Sequence, residues 1–286
     1  MRNLVVFLAF AITASVAAST EPSGYKVEEN IEFKQQPVSL HLDAHIPPGK
    51  GPFPAVILVH GGGWTAGTKT ANFLLPLFEP LTKTGYTWFT IDYRLAPQHP
   101  YPAAVEDVEN AIVFVKNHAR EYKLNPRKIA LMGESAGGHL VNLTGARNRR
   151  PADVAAVVSF YGPIDMVKYA IGFQEKPPTG AMRGFFEITQ WDDAAMAKLR
   201  EASPATYLGR KTPPFLFIQG TADAAVPYEQ ATLAVELFKK AGIPCELITV
   251  QDGVHGVINW EKDPKFQAYK SEMTAWLYKT LGRPPQ

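Results

Sequence analysis

The 286-residue chain has only one cysteine, Cys245, and almost no excess of charge, with 29 Lys and Arg against 27 Asp and Glu. One cysteine cannot build a disulfide framework. A net charge of +2 lacks the concentrated basic excess typical of nucleic-acid-binding proteins, so no nucleic-acid partner is expected. Because 46% of the residues are hydrophobic, the composition also excludes a disordered chain and leaves an enzyme-sized globular domain.

The N-terminal apolar run, residues 4–14, is shorter than the about 20 residues that a membrane-spanning helix needs. It follows Arg2 and precedes the small residues Ser15-Val16-Ala17-Ala18, which is the pattern of a secretory signal peptide. We therefore expect residues 1–18 to be removed and the mature protein to be secreted or periplasmic, with no membrane contact after cleavage. A retained N-terminal anchor is the alternative.

The remainder, residues 19–286, reads as a single α/β domain with a mostly parallel sheet flanked by helices. The first two of about eight strands have no helix between them and predict an antiparallel hairpin. A stretch without a strand signal predicts a small cap at about residues 163–208, because it is too long for an ordinary connection. The strands are expected at residues 26–33, 38–45, 55–59, 87–91, 129–132, 154–160, 215–218 and 245–250.

A G-x-S-x-G motif, Gly133-Glu134-Ser135-Ala136-Gly137, follows one of these strands directly and precedes a helical segment. A serine on such a tight strand-to-helix turn needs very small neighbours, because the backbone is strained there. The turn projects the hydroxyl out of the sheet, and the N-terminus of the following helix stabilises negative charge. Ser135 is therefore the candidate nucleophile.

A second glycine-rich motif, His60-Gly61-Gly62-Gly63-Trp64, lies at the end of the predicted strand 55–59. Consecutive glycines allow backbone N–H groups to approach a substrate oxygen closely, as an oxyanion hole requires. We expect Gly62 and Gly63 to supply two of these donors and Ala136, next to the nucleophile, to supply the third.

A serine nucleophile needs a base and an orienting acid, which in this architecture follow the serine in the order acid, then histidine. Asp223 and His255 each lie in the loop after a late strand and fit that order. His255 is the candidate base, and Asp223 is the candidate acid. The competing acids are Asp192, Asp193 and Asp252.

Together these segments resemble the α/β-hydrolase fold, and in particular the hormone-sensitive-lipase-like esterases. The resemblance covers nearly all of the expected mature chain and implies Ser135, Asp223 and His255 as the catalytic triad. A helical cap usual in that group before the first strands is missing here, so the chain is more similar to compact bacterial acetyl xylan and feruloyl esterases. The motifs that carry the resemblance are His60-Gly61-Gly62-Gly63, Asp92-Tyr93-Arg94-Leu95-Ala96-Pro97 and Gly133-Glu134-Ser135-Ala136-Gly137-Gly138.

The resemblance implies a secreted serine esterase that works through an acyl-enzyme and removes acetyl or feruloyl groups from plant cell-wall polysaccharide. Trp64, Phe185 and Trp191 are candidates for stacking on sugar or aryl rings, with core packing as the alternative. A general short-chain carboxylesterase, an arylformamidase, a serine peptidase and a non-catalytic binding protein remain open, because one fold hosts many functions. The partner expected is thus a small ester or an acylated polysaccharide.

No cofactor or metal ion is implied by the sequence. It has no Walker loop, no H-E-x-x-H motif, no paired cysteines and no dinucleotide-binding fingerprint.

Overall fold

The computed structural model describes residues 18–20, 24–172, 177–178 and 180–285. The predicted signal peptide lies outside these residues, apart from Ala18, and so do positions 173–176 and 179 of the predicted cap. Among the described residues, no helix is both long enough and apolar enough to cross a membrane.

The described chain folds around one nine-stranded sheet, which confirms the predicted α/β-hydrolase architecture. Eight strands match the predicted ones. The ninth, β1, pairs with the next strand in a segment for which no strand was predicted. In chain order the strands are β1 Ala18–Thr20, β2 Lys26–Lys34, β3 Leu40–Ile46, β4 Phe53–Val59, β5 Thr87–Ile91, β6 Leu124–Glu134, β7 Ala156–Phe160, β8 Phe215–Gly220 and β9 Cys245–Val250.

The strand order across the sheet is β1-β2-β3-β5-β4-β6-β7-β8-β9. The first three pairings are antiparallel, and every pairing from β5 to β9 is parallel. The carboxyl ends of β4, β6, β8 and β9 consequently meet at one edge, which is where α/β sheets bind ligands.

Helices cover both faces of the sheet, because the central strands are apolar on both sides. Within β4, the side chains of Val56 and Leu58 pack into one core cluster and those of Ala55, Ile57 and Val59 into the other. The helices are α1 Leu75–Lys83, α2 Ala103–Asn117, α3 Ala136–Arg147, α4 Met166–Ile171, α5 Gly180–Gly184, α6 Asp193–Glu201, α7 Glu229–Ala241, α8 Val257–Trp260 and α9 Ala268–Leu281.

The predicted cap segment contributes helices α4 to α6 and a 3₁₀ turn, Pro204–Tyr207, between β7 and β8. It is anchored to the rest of the domain by aromatic packing and by the backbone of Phe185, whose carbonyl accepts the N–H of Tyr101 at 2.8 Å. The segment thus packs against the loop that precedes α2.

An ion-pair cluster joins β2, the loop after β5 and helix α2. The buried carboxylate of Asp107 pairs with Arg94 Nε at 2.7 Å and with Lys34 Nζ at 2.5 Å. Arg94 also donates to Glu106 at 2.9 Å and to the carbonyl of Ala103 at 3.0 Å. Arg94 therefore braces the loop after β5 against helix α2.

Candidate active site

Ser135 occupies a strained turn between β6 and α3. Its backbone has φ 54° and ψ −117°, a left-handed conformation that non-glycine residues rarely adopt. The turn is possible because the residues two positions before and after Ser135 have no side chains: a Cβ at Gly137 would overlap with the carbonyl oxygens of Val59 and His60, and one at Gly133 with the carbonyl of Gly137. The small residues thus allow the tight turn that places Ser135 between the end of β6 and the start of α3.

The structure brings Ser135, His255 and Asp223 together in one hydrogen-bonded chain. His255 Nε2 lies 2.9 Å from Ser135 Oγ, and His255 Nδ1 lies 2.8 Å from Asp223 Oδ2. Because a carboxylate only accepts hydrogen bonds, Nδ1 carries the ring proton and Nε2 is left to accept the serine proton. This tautomer is the one that a general base needs.

Asp223 is fixed by four donors at its two oxygens. Oδ1 accepts the N–H groups of Ala225 at 2.9 Å and Val226 at 2.8 Å. Oδ2 accepts the amide of Gln219 at 3.1 Å in addition to His255. Since the carboxylate is buried and fully paired, it can orient the imidazole without turning toward solvent.

The competing acids lie elsewhere. Asp192 caps helix α6 by accepting the N–H of Ala195 at 2.8 Å, and Asp193 is exposed in the first turn of that helix. Asp252 is also exposed, and it accepts the side-chain amide of Gln251 at 3.0 Å. Of the four candidate acids, Asp223 is thus the one hydrogen-bonded to His255 among the described residues.

The glycine-rich loop after β4 offers free backbone donors. Gly62 and Gly63 have φ values of 103° and 60°, which favour glycine. Within the described part of the chain, no acceptor is hydrogen-bonded to the N–H groups of Gly62, Gly63 or Ala136. The Ala136 N–H opens helix α3 directly after the nucleophile. This arrangement suits the expected oxyanion hole.

The structure differs from expectation at two of the three aromatic candidates for substrate contact. Trp64 is 4% exposed and Phe185 is 0% exposed, and their rings stack on each other with centroids 5.1 Å apart. The indole N–H of Trp64 also donates to His139 Nδ1 at 3.2 Å. Both side chains are buried in the core. The expectation that they contact the substrate is therefore corrected: they are packing residues. Trp191 is half-buried against the same cluster.

Sequence reasoning missed Glu134 and Tyr161. Glu134 Oε1 accepts the N–H of Gly61 at 2.6 Å, and the hydroxyl of Tyr161 accepts the N–H of Val257 at 2.8 Å. Burial raises the pKa of Glu134, while nearby His255 and the Gly61 N–H oppose the rise. A charged side chain directly after the apolar run 129–132 and its glycine was the available signal. Gln219 was missed as well, because an amide inside a strand has no motif to mark it.

No group of three or more His, Cys, Asp or Glu side chains in the described ranges could hold a metal ion.

Comparison with known proteins gives a family and a set of relatives. The BD-FAE family model matches residues 42–238. The probable carboxylic ester hydrolase LipM of Mycobacterium tuberculosis (strain ATCC 25618 / H37Rv) is 31% identical over 72% of this chain and 50% of LipM. Esterase LipC of the same strain is 32% identical over 65% of this chain and 48% of LipC. The chain thus spans about half the length of these curated relatives.

Solved structures with the same fold include a bifunctional GH43-CE protein from Bacteroides eggerthii. It aligns with a TM-score of 0.77 and 26% identity, over 90% of this chain and 38% of that protein. A truncated carbohydrate esterase from gut microbiota aligns with a TM-score of 0.74 over 92% of this chain and 99% of that one. Its 22% identity bears on the fold alone.

Proposed function

The chain belongs to the BD-FAE family of α/β-hydrolases, and we propose that it is a serine carboxylic ester hydrolase that works through an acyl-enzyme. The observation that carries the proposal is the continuous chain of hydrogen bonds from Ser135 Oγ through His255 to Asp223. Nucleophile, base and orienting acid are thus in contact before any substrate binds.

In the acylation step, Ser135 Oγ attacks the ester carbonyl carbon while its proton moves to His255 Nε2. The carbonyl π electrons move to oxygen, and the N–H groups of Gly62, Gly63 and Ala136 stabilise the resulting oxyanion. One such donor is typically worth about 3 kcal/mol in the transition state. Asp223 stabilises the imidazolium, which then protonates the departing alkoxide as the C–O bond breaks.

In the deacylation step, water attacks the acyl-enzyme carbonyl and gives its proton to the same His255 nitrogen. Collapse of the second tetrahedral intermediate breaks the bond to Ser135 Oγ, which recovers its proton from the imidazolium. The carboxylic acid leaves, and the site returns to its starting protonation state. No group outside this chain and water is needed.

For the substrate, we propose acetyl or feruloyl esters of plant cell-wall polysaccharide, met by a protein exported through its N-terminal segment. Support comes from the motif resemblance, from the signal-like residues 1–18 and from the GH43-CE protein, which is 26% identical. The half-buried Trp191 is the remaining aromatic candidate for contact with a ring.

A general short-chain carboxylesterase is the second candidate. It is favoured by LipM and LipC, which are 31% and 32% identical and whose names specify an ester hydrolase without a carbohydrate substrate.

The test is release of acetate and ferulate from acetylated and feruloylated xylan by purified wild-type protein, with Ser135→Ala as the blank and p-nitrophenyl acetate assayed in parallel. Ser135-dependent release of either acid from xylan supports the carbohydrate proposal. Hydrolysis of p-nitrophenyl acetate without release from xylan favours the general esterase. N-terminal sequencing of exported protein tests the cleavage, which we expect just before Ser19.

A further inference from the structure

Two buried side chains outside the triad connect its loops. Glu134 precedes the nucleophile, and its Oε1 accepts the N–H of Gly61, the residue before the two expected oxyanion donors, at 2.6 Å. The fit is close, since a Cβ at Gly61 would overlap with the Glu134 carboxyl group. The position of the glycine-rich loop relative to the nucleophile is therefore set through this carboxylate.

Tyr161 makes a second contact of this kind, with the loop that carries the base. Its hydroxyl accepts the N–H of Val257, two residues after His255, at 2.8 Å, and its ring centroid lies 4.6 Å from that of the imidazole. Tyr161 is buried at the end of β7 with φ 38°, a conformation that the surrounding structure must hold.

The two contacts are of the same kind, because each side chain accepts a backbone N–H from a loop of the site. Glu134 holds the loop with the expected oxyanion donors next to the nucleophile, and Tyr161 holds the loop that carries His255.

We propose that Glu134 and Tyr161 are positioning residues that hold the oxyanion loop and the His255 loop in register with Ser135. This inference rests on the proposed function, because it concerns the same site. The two residues act through the backbone of Gly61 and Val257, without touching the reacting atoms.

The test compares Tyr161→Phe and Glu134→Gln with Tyr86→Phe. Tyr86 is a matched control because its hydroxyl is also hydrogen-bonded to the backbone: it donates to the carbonyls of Leu277 and Gly282, away from the site, among the packing residues of α1 and α9. For each protein, three quantities are measured: the midpoint of urea unfolding, kcat and KM for p-nitrophenyl acetate, and the rate constant for modification of Ser135 by a fluorophosphonate.

We expect Tyr161→Phe and Glu134→Gln each to lower kcat and the fluorophosphonate rate about tenfold with little change in KM. The first variant loses the acceptor of the Val257 N–H, and the second weakens the acceptor of the Gly61 N–H. Tyr86→Phe is expected to lower the unfolding midpoint while leaving both rates unchanged. Equal rates in wild type, Tyr161→Phe and Glu134→Gln would overturn the proposal, as would rate losses that follow the unfolding midpoint in all three variants.

Failure of the proposed function gives a different result. If the wild type neither hydrolysed esters nor reacted with the fluorophosphonate, the esterase proposal would fail and this inference with it. If the wild type reacts and Tyr161→Phe and Glu134→Gln react as fast as the wild type, only the positioning roles are refuted and the esterase proposal stands.

Discussion

His255 Nε2 and Ser135 Oγ lie 2.9 Å apart although 120 residues separate them in the chain. The contact follows from the parallel pairing of β6, β7, β8 and β9, which brings the loops after β6, β8 and β9 to one edge of the sheet. Asp223 reaches the other nitrogen of the ring from the loop after β8. The pairing of the parallel strands thus brings the three side chains together, and each of the three loops contributes one of them.

The first prediction concerns the acid. Asp223→Asn should lower kcat for p-nitrophenyl acetate by about 10⁴-fold, because an amide nitrogen at Oδ2 would favour the imidazole tautomer with its proton on Nε2. Asp252→Asn is the control, since that carboxylate is exposed in the loop before His255. Activity near the wild-type level in Asp223→Asn, or a comparable loss in Asp252→Asn, would show that the acid is assigned wrongly.

The second prediction concerns the nucleophile turn. A Cβ at Gly137 would overlap with the carbonyl oxygens of Val59 and His60, so Gly137→Ala should destabilise the protein by about 3 kcal/mol. In Gly184→Ala, the new Cβ would come no closer than 3.7 Å to Thr65, and a change within about 0.5 kcal/mol is expected. Urea unfolding measures both. Equal stability of the two variants would mean that the turn is not tightly packed.

The third prediction concerns the ion-pair cluster on α2. Asp107→Ala should cost about 3 to 5 kcal/mol of unfolding free energy, because Arg94 and Lys34 would lose the carboxylate that pairs with them in a largely buried site. The control is Glu79→Ala, which breaks an exposed pair with Lys83 and should cost less than about 1 kcal/mol. Similar losses in the two variants would contradict the bracing role.

The fourth prediction concerns pH. Burial lowers the pKa of His139 to about 4; its Nδ1 accepts the Trp64 N–H, and its Nε2 donates to the carbonyl of Ala202 at 2.8 Å. Between about pH 6.5 and 4 the unfolded chain therefore binds a proton that the folded protein does not, and stability falls as the pH falls.

Replacing this ring by an amide should remove that contribution. In His139→Gln, the slope of unfolding free energy against pH in this window should be smaller by up to about 1.4 kcal/mol per pH unit. Urea unfolding of both proteins at several pH values gives the two slopes. The same slope in the variant would show that His139 does not bind a proton on unfolding.

The sequence predicted most of the sheet and the three groups that the structure joins. Continuous apolar runs marked strands buried on both faces, and G-x-S-x-G fixed the position of Ser135. The order of loops after late strands then selected Asp223 and His255 from several acids and seven histidines. These signals are local or depend on chain order, so they can be read without knowing which side chains pack together.

The remaining features depend on tertiary packing. Trp64 and Phe185 are aromatic residues near the predicted site, but only the fold shows that their rings cover each other in the core. The contacts of Glu134 with Gly61 and of Tyr161 with Val257 join four segments of the chain, and no sequence spacing could reveal them. Strand β1 was missed because its three residues carry no alternating pattern.

The most direct test of the account is the hydrolysis of p-nitrophenyl acetate by the wild type and by Ser135→Ala, purified and shown to be folded in the same way. The account predicts that loss of the Ser135 hydroxyl lowers kcat by about 10⁶-fold, because Ser135 Oγ is the atom that forms the acyl-enzyme. Hydrolysis by Ser135→Ala at a rate close to that of the wild type would contradict it.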